Sequence, residues 1–214
     1  MTNSARQGEL FPAGAGSGDG PGAAVSALLP LRQRQLLAWQ NRLASFQQPL
    51  FKALGTHHQA PGEASQGQLF ATGRPGMGPD PAALAAHFNP LALTPQSLQF
   101  WRWPQQAQNG AALYVVIDQP PHLNIPLLLY IGETSRADLR WKGDHDCKTY
   151  LAAYGEALQQ AQLKSLASIR FWADVPVAAR ARQVLEQALI RRWQPPFNKE
   201  TRQRWATPFT SDLG

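Results

Sequence analysis

Residues 112–140 read ALYVVIDQPPHLNIPLLLYIGETSRADLR, and the prediction of the fold starts from them. Leu113–Ile117 is rich in β-branched and aromatic residues, which is typical of a buried strand. Leu127–Ile131 predicts a second strand by the same criterion. The link between the two strands contains three prolines, Pro120, Pro121 and Pro126. The pattern therefore predicts an antiparallel hairpin with a long loop.

Further elements follow this hairpin along the chain. The pattern predicts a short helix over 135–141, a longer helix over 147–163 and a third strand over 168–173. Asp174 is a candidate N-cap for a last helix, which would run to about Trp193. The sequence therefore predicts an α+β fold in which helices flank a small three-stranded antiparallel sheet.

Composition divides the rest of the chain. Residues rich in Gly and Pro predict disorder or linkers, because they cannot bury enough apolar surface to offset their ordering entropy. Apolar residues recur every three or four positions between 28 and 54, which predicts an amphipathic helix that Pro49 should break or kink. This helix could pack on the folded domain, self-associate or contact a partner. The predicted division is a disordered tail at 1–27, the amphipathic helix at 28–54, a flexible linker at 55–81, a short helical or irregular lead-in at 82–109, the folded domain at 110–205 and a C-terminal tail at 206–214.

Charge and cysteine content limit the class of protein. The 214 residues include 20 Lys and Arg against 14 Asp and Glu, a formal net charge of +6, which permits a polyanionic partner. The single cysteine, Cys147, excludes a disulfide framework and a Cys-rich zinc module, and is expected to be a core thiol. The start of the chain has no apolar signal region, and no apolar run could span a membrane. We therefore expect a cytoplasmic protein without a membrane partner.

Seven residues of the folded region follow one another in a distinctive order. They are Tyr114, Tyr130, Gly132, Arg140, His145, Glu186 and Asn198. This order resembles the GIY-YIG nuclease family over about residues 110–200. Ala112-Leu113-Tyr114 stands where the family has Gly-Ile-Tyr, the spacer between the two tyrosine motifs is longer than usual, and His145 lies one position later than expected.

The residue types suit phosphodiester cleavage. Glu186 offers a hard oxygen ligand to Mg²⁺ or Mn²⁺, which keeps several waters and needs only one or two carboxylates. Arg140 offers a permanently charged, forked donor for phosphate. The resemblance implies a base-like role for Tyr114, a role for Tyr130 in positioning water or phosphate, and a catalytic role for His145.

Two further residues would support this site. Gly132 is expected to let the backbone turn closely beneath it, and Asn198 to order its network. Taken singly, these residues have commoner structural explanations: a strand tyrosine usually packs, and Arg140 alone is usually a solvated helix residue. A carboxylate such as Glu186 beside an apolar helix face needs a partner or a metal.

Basic residues are concentrated towards the C-terminus, where they could hold phosphates while Trp193 and Trp205 stack on exposed bases. The alternative explanation is a solvated helix face above core tryptophans. No recognition helix is evident, so cleavage selective for DNA structure is favoured over cleavage selective for sequence. The candidate DNA-binding residues are Arg136, Lys142, Arg182, Arg191, Arg192, Lys199, Arg202 and Arg204.

Two near-copies of one pentapeptide, QGELF at 7–11 and QGQLF at 66–70, lie in the predicted disordered segments. The pattern Gln-x-x-Leu-Phe resembles the peptides that dock on the bacterial DNA polymerase sliding clamp, with Gly where Leu is usual at the second position. Two copies would raise avidity for a ring with several equivalent pockets. The candidate clamp-binding residues are Gln7, Leu10, Phe11, Gln66, Leu69 and Phe70.

Together these features predict a Mg²⁺-dependent or Mn²⁺-dependent GIY-YIG endonuclease acting on DNA in repair, recombination or replication. Such a protein would be cytoplasmic and nucleoid-associated. The alternative is a non-catalytic DNA-binding or clamp-binding adaptor that retains the fold. A homing or restriction nuclease is disfavoured, because residues 1–109 look too linker-like for a DNA-recognition module.

Overall fold

The computed structural model describes residues 22–55, 80–99, 109–140 and 146–209, with side chains of the first helix described from Gln33. Both clamp-like pentapeptides lie outside these residues, as do Lys142 and His145. The helices are α1 Gly22–Gly55, α2 Pro81–His87, α3 Ala137–Arg140, α4 Asp146–Gln160, α5 Ala179–Trp193 and α6 Arg202–Trp205, with a 3₁₀ turn at Pro90–Ala92. The strands are β1 Ala112–Asp118, β2 Leu127–Thr134 and β3 Ser168–Trp172.

The three strands form one antiparallel sheet in the order β2-β1-β3. Every residue of the central strand β1 is buried, because helices cover both faces of the sheet. One face packs Tyr114 and Val116 among residues of α1 and α4. The other packs Val115 and Ile117 among residues of α2 and α5. Burial on both faces explains why β1 reads as a continuous apolar run, and the predicted α+β fold with a three-stranded antiparallel sheet is confirmed.

Helix α1 is part of the domain core. Its residues Leu36, Trp39 and Leu43 are buried against the sheet and α4. Of the roles open for this helix, the structure therefore gives packing on the folded domain. The helix begins at Gly22, so the prediction of a disordered tail reaching residue 27 was wrong for its last six residues.

Pro49 was predicted to break or kink the helix, and the break was wrong, because α1 continues to Gly55. Pro49 itself is exposed, and its missing N–H removes one helical hydrogen bond. Leu50, Phe51 and Leu54 lie beyond it and pack against the second core cluster. Their burial offsets the lost bond and holds the last turn in place.

Several boundaries differ from the prediction. Helix α5 begins at Ala179 after an Ala178 N-cap that makes no side-chain hydrogen bond, so Asp174 does not cap it. Strand β2 extends to Thr134, and α4 ends at Gln160, before Gln162 adopts a positive φ of 55°.

The segment predicted as a C-terminal tail contributes to the core. Phe209 packs edge-on against Trp39, with 5.3 Å between ring centroids. In the described part of the chain, no helix combines the length and the apolar character needed to cross a membrane.

Candidate active site

Two tyrosines meet on the face of the sheet covered by α1 and α4. Tyr114 of β1 lies opposite Gly132 of β2, and its ring centroid is 5.9 Å from that of Tyr130. A Cβ at residue 132 would lie 2.8 Å from Tyr130 Cε1 and closer still to the Tyr114 ring. Gly132 is therefore required for space beneath two aromatic rings. The predicted turn was wrong, since Gly132 lies inside a strand.

Arg140 brings a cation to this pair. It ends the short helix α3, which is anchored by the Ala137 N–H donating to the Gly110 carbonyl at 2.9 Å. The Arg140 Nε donates to the Tyr114 hydroxyl oxygen at 3.2 Å, while most of the side chain is exposed. Because Arg140 is exposed, an anion in solution can reach its other guanidinium N–H groups.

Burial sets the charge state of both phenols. It raises the pKa of Tyr114 well above its ordinary value, and the neighbouring Arg140 opposes only part of that effect. Burial raises the pKa of Tyr130 further, because the charge and the hydrogen bond of Tyr114 add to it. Both groups are therefore neutral at neutral pH.

Glu186 is the carboxylate that the sequence predicts for this cluster. It lies on α5, half-buried, and its Oε1 accepts from the Glu133 backbone N–H at 3.0 Å. Burial raises the pKa of Glu186 to about 7, and the Glu133 carboxylate adds to the shift. The charge of Arg140 lowers the pKa of Glu186, so the two groups lie close enough for their charges to interact. A carboxylate held in this way is stabilised as an anion by any added cation.

Arg182 does not face a ligand. Its Nε pairs with Glu133 Oε2 at 3.1 Å, and its Nη1 donates to the carbonyls of Pro176 and Val177. The side chain is 1% exposed. The predicted DNA-binding role of Arg182 was therefore wrong: the residue fixes the loop before α5 and orients Glu133.

Asn198 clamps the second strand. Its Oδ1 accepts from the Ile131 N–H at 3.0 Å and its Nδ2 donates to the Ile131 carbonyl at 2.7 Å. These two bonds reproduce those of a neighbouring strand. Asn198 is buried and fixes the backbone immediately before Gly132, which makes it a positioning residue.

Polar groups of this kind bond the outer edge of β2 at several positions. The Phe197 N–H donates to the Leu129 carbonyl at 3.0 Å, next to the Asn198 clamp. The Gln47 amide of α1 exchanges hydrogen bonds with Leu128 N–H and C=O at 2.8 and 2.9 Å. With the Glu186 bond to Glu133, groups from outside the sheet contact this edge between Leu128 and Glu133.

Gln47 is a residue that the sequence reasoning missed. A signal for it exists, because Gln40 and Gln47 occupy the same face of α1 as Leu36 and Leu43. Both amides are 0% exposed. A polar residue at an apolar position of a helical repeat indicates a buried hydrogen-bonding partner.

The predicted DNA-binding cations lie in different environments. Arg136, Arg191, Lys199 and Arg204 are exposed, while Arg192 and Arg202 are half-buried. Trp193 and Trp205 are buried, at 0% and 5% exposure, so the prediction that they stack on bases was wrong. Both belong to the core clusters.

The donor set at Glu186 fits a hard divalent cation. The described residues include no group of three His, Cys, Asp or Glu side chains placed to hold a metal ion. One oxygen of Glu186 is engaged by Glu133 N–H, and among the described residues no bond is found to the other. A single carboxylate oxygen suits Mg²⁺ or Mn²⁺, which retains water in its remaining positions. The residues present are therefore compatible with the predicted metal.

Comparisons of the chain with protein-family models, with curated proteins and with solved structures found no match. The resemblance to the GIY-YIG family stays a prediction made from the ordered residues. The structure brings Tyr114, Tyr130, Gly132 and Arg140 into contact, and places Glu186 within electrostatic range of Tyr130 and Arg140. Chemically, the cluster offers a cation for an anionic substrate, a polarised neutral phenol and a carboxylate that can change its protonation state near neutral pH.

Proposed function

We propose that this protein is a metal-dependent DNA endonuclease of GIY-YIG type that hydrolyses phosphodiester bonds. The observation that carries the proposal is the contact between the Arg140 guanidinium and the Tyr114 hydroxyl, with Glu186 within electrostatic range of Arg140. A phosphodiester needs a cation for its developing charge, help for water and help for the leaving oxygen. These three side chains supply groups of those kinds.

Each residue then has a distinct task. Arg140 binds the scissile phosphate through the N–H groups that Tyr114 does not use. Tyr114 stays neutral and orients water through its hydroxyl, with its oxygen fixed by Arg140 and Tyr130. Glu186 would hold Mg²⁺ or Mn²⁺, which when bound supplies Lewis-acid stabilisation and activation of water. Asn198 and Gly132 keep the backbone beneath the two tyrosines in register.

The broader setting follows from the sequence. The residues predict no base-reading helix, so we propose selectivity for DNA structure. Repair, recombination or replication would supply such DNA, in the cytoplasm at the nucleoid. The pentapeptides with Phe11 and Phe70 would add attachment to the sliding clamp.

A second candidate function is a DNA-binding or clamp-binding adaptor that keeps the fold without catalysis. The observation that favours it is the complete burial of Tyr114, whose pKa is raised by that burial. A phenol in this state does not act as a base without help. The adaptor would retain Arg140 and the surface cations for binding.

The test is cleavage of plasmid, flap, fork and Holliday-junction DNA with Mg²⁺ or Mn²⁺. We expect Arg140→Ala and Glu186→Gln each to lower the rate by about a hundredfold or more. Glu156→Gln is the matched control, because Glu156 is an exposed carboxylate of α4 that bonds only its neighbour Gln160. Cleavage that persists in both site variants contradicts the proposal. Binding of these DNAs by the wild type without cleavage favours the adaptor.

A further inference from the structure

Helix α1 and the C-terminal segment together form a basic surface. Over its 34 residues, α1 contains Arg32, Arg34, Arg42 and Lys52 but neither Asp nor Glu. Arg202 and Arg204 of α6 add charge where α6 contacts this helix, and the exposed Lys199 lies three residues before α6 in the chain. We call Arg42, Lys199, Arg202 and Arg204 the α1–α6 seam.

Three arginines of the seam are held in place by groups that do not neutralise them. Arg42 Nη2 donates to the Trp205 carbonyl at 3.2 Å. The Arg204 guanidinium lies over the ring of Phe46 at 4.8 Å and over that of Trp205 at 5.6 Å. Among the described residues, the ion pair found joins Arg182 to Glu133, so the seam arginines are not paired with a carboxylate in that part of the chain.

The seam adjoins Asn198, which bonds β2 immediately before Gly132. Arg202 donates from Nη1 to the Tyr150 hydroxyl and lies 5.7 Å above that ring. The Tyr150 ring stacks on Phe197 with 5.8 Å between centroids. The backbone N–H of Arg202 donates to the Asn198 carbonyl at 2.9 Å. A ligand that follows the seam therefore arrives beside Asn198, the residue that clamps β2.

We propose that the α1–α6 seam binds the phosphate backbone of duplex DNA and guides it to the candidate active site. The inference rests on the proposed function, which names DNA as the substrate, and adds helix α1 to the binding surface. Ordered guanidinium groups match phosphate in geometry as well as charge, and less rotamer freedom is lost when they bind. The aromatic rings of Phe46, Tyr150 and Trp205 lie beneath these guanidinium groups and so face cations rather than a lipid surface or base steps.

The experiment measures binding without cleavage. A fluorescein-labelled blunt DNA duplex is titrated with the full chain in EDTA, at a series of salt concentrations, and followed by anisotropy. Each phosphate contact that is lost should reduce the slope of log affinity against log salt by about 0.9. The variant R42Q/R204Q should therefore lower the slope by about 1.8, and R42K/R204K should restore most of it because it keeps both charges.

Arg180→Gln is the matched control. Arg180 is exposed at the start of α5, while Trp205 Nε1 bonds Gln194 beyond the far end of that helix, which lies roughly 20 Å away along the helix axis. We expect this variant to leave the slope nearly unchanged. Circular dichroism of each variant checks that the fold is retained.

The outcomes separate the seam from the nuclease. An unchanged slope in R42Q/R204Q, an equal loss in Arg180→Gln, or tighter binding to duplex RNA of the same length overturns the seam proposal. A reduced slope in R42Q/R204Q that R42K/R204K restores supports it, even if no metal gives cleavage and the nuclease proposal fails. Cleavage with no contribution from Arg42 and Arg204 supports the nuclease and overturns the seam.

Discussion

Replacing Gln47 by Met removes the polar cover from one point of the β2 edge while keeping a side chain of similar length. The Gln47 amide donates to the carbonyls of Leu128 and Trp193 at 2.9 and 3.1 Å, and accepts from the Leu128 N–H at 2.8 Å. In the variant, these backbone atoms stay buried and lose their partner. No cavity of note is created, so the loss is mainly one of hydrogen bonding.

The magnitude follows from the number of stranded atoms. A buried polar atom left without a partner costs about 1 to 2 kcal/mol in the free energy of unfolding. The Leu128 N–H and the carbonyls of Leu128 and Trp193 together give an expected loss of about 3 to 6 kcal/mol. That is a large part of the stability of a domain of this size.

The assay is urea unfolding followed by tryptophan fluorescence, with the free energy of unfolding obtained by linear extrapolation. Gln35→Met is the matched control, since Gln35 is exposed on the same helix and the chemical change is identical. It should change stability by less than about 0.5 kcal/mol. A Gln47→Met variant within about 1 kcal/mol of the wild type would refute the inference that this amide holds the β2 edge.

Two further predictions concern the candidate site. Gly132→Ala should lower the free energy of unfolding by about 1 to 3 kcal/mol, because the added Cβ collides with the rings of Tyr114 and Tyr130. Urea unfolding measures this loss. The loss should be smaller when Tyr130 is also replaced by Ala. The pKa of Glu186 is raised from 4.5 to about 7. Between these two values the folded protein retains a proton that the unfolded chain has released. The stability that this proton contributes is full below the unfolded pKa and is lost as pH rises through about 7. Glu186→Gln keeps an acceptor for the Glu133 N–H and should remove this fall when unfolding is measured over a pH series without metal; parallel curves for the two proteins would contradict it.

The parts of the fold that could be predicted share a simple cause. Burial on both faces of the sheet makes β1 a continuous apolar run, and its neighbour β2 was located by the same composition. The helical period of α5 was visible from its apolar residues. The start of α5 was missed because the capping rule looks for a local side-chain acceptor, whereas Arg182 holds the preceding loop through two carbonyls.

The parts that could not be predicted depend on contacts between distant residues. The apolar period predicted the helix over 28–54, but it could not show that this helix is buried against residues far along the chain. A basic residue on a helix next to other basic residues predicts a DNA contact. The structure shows instead that Arg182 is buried and paired with Glu133. Gly132 was predicted to allow a backbone turn, whereas in the structure it leaves space for the side chains of Tyr114 and Tyr130.

The candidate site residues were proposed from their order in the sequence, but their environment could not be predicted from it. Asn198 and Glu186 both bond the backbone of β2, so substitutions at these positions act on the strand as well as on any chemistry. A conservative replacement such as Glu186→Gln is therefore more informative than truncation to Ala. Burial raises the pKa of Glu186, and the carboxylate of Glu133, a neighbour that no spacing rule indicates, adds to the shift.

The position of α1 in the chain has a consequence for synthesis of the protein. On the ribosome α1 emerges before the sheet that it packs against. Gln47 can bond Leu128 and Trp193 only after a further 81 and 146 residues have been synthesised. Arg42 can bond Trp205 only after a further 163 residues. Until Phe209 has left the exit tunnel, the apolar face of α1 has no complete surface to cover it. Such long-range closure slows folding and prolongs the time in which nascent chains are open to aggregation and to chaperones. A chain shortened before Phe197 would lack the groups that seal β2 and should be recognised as incomplete by the cell's proteases.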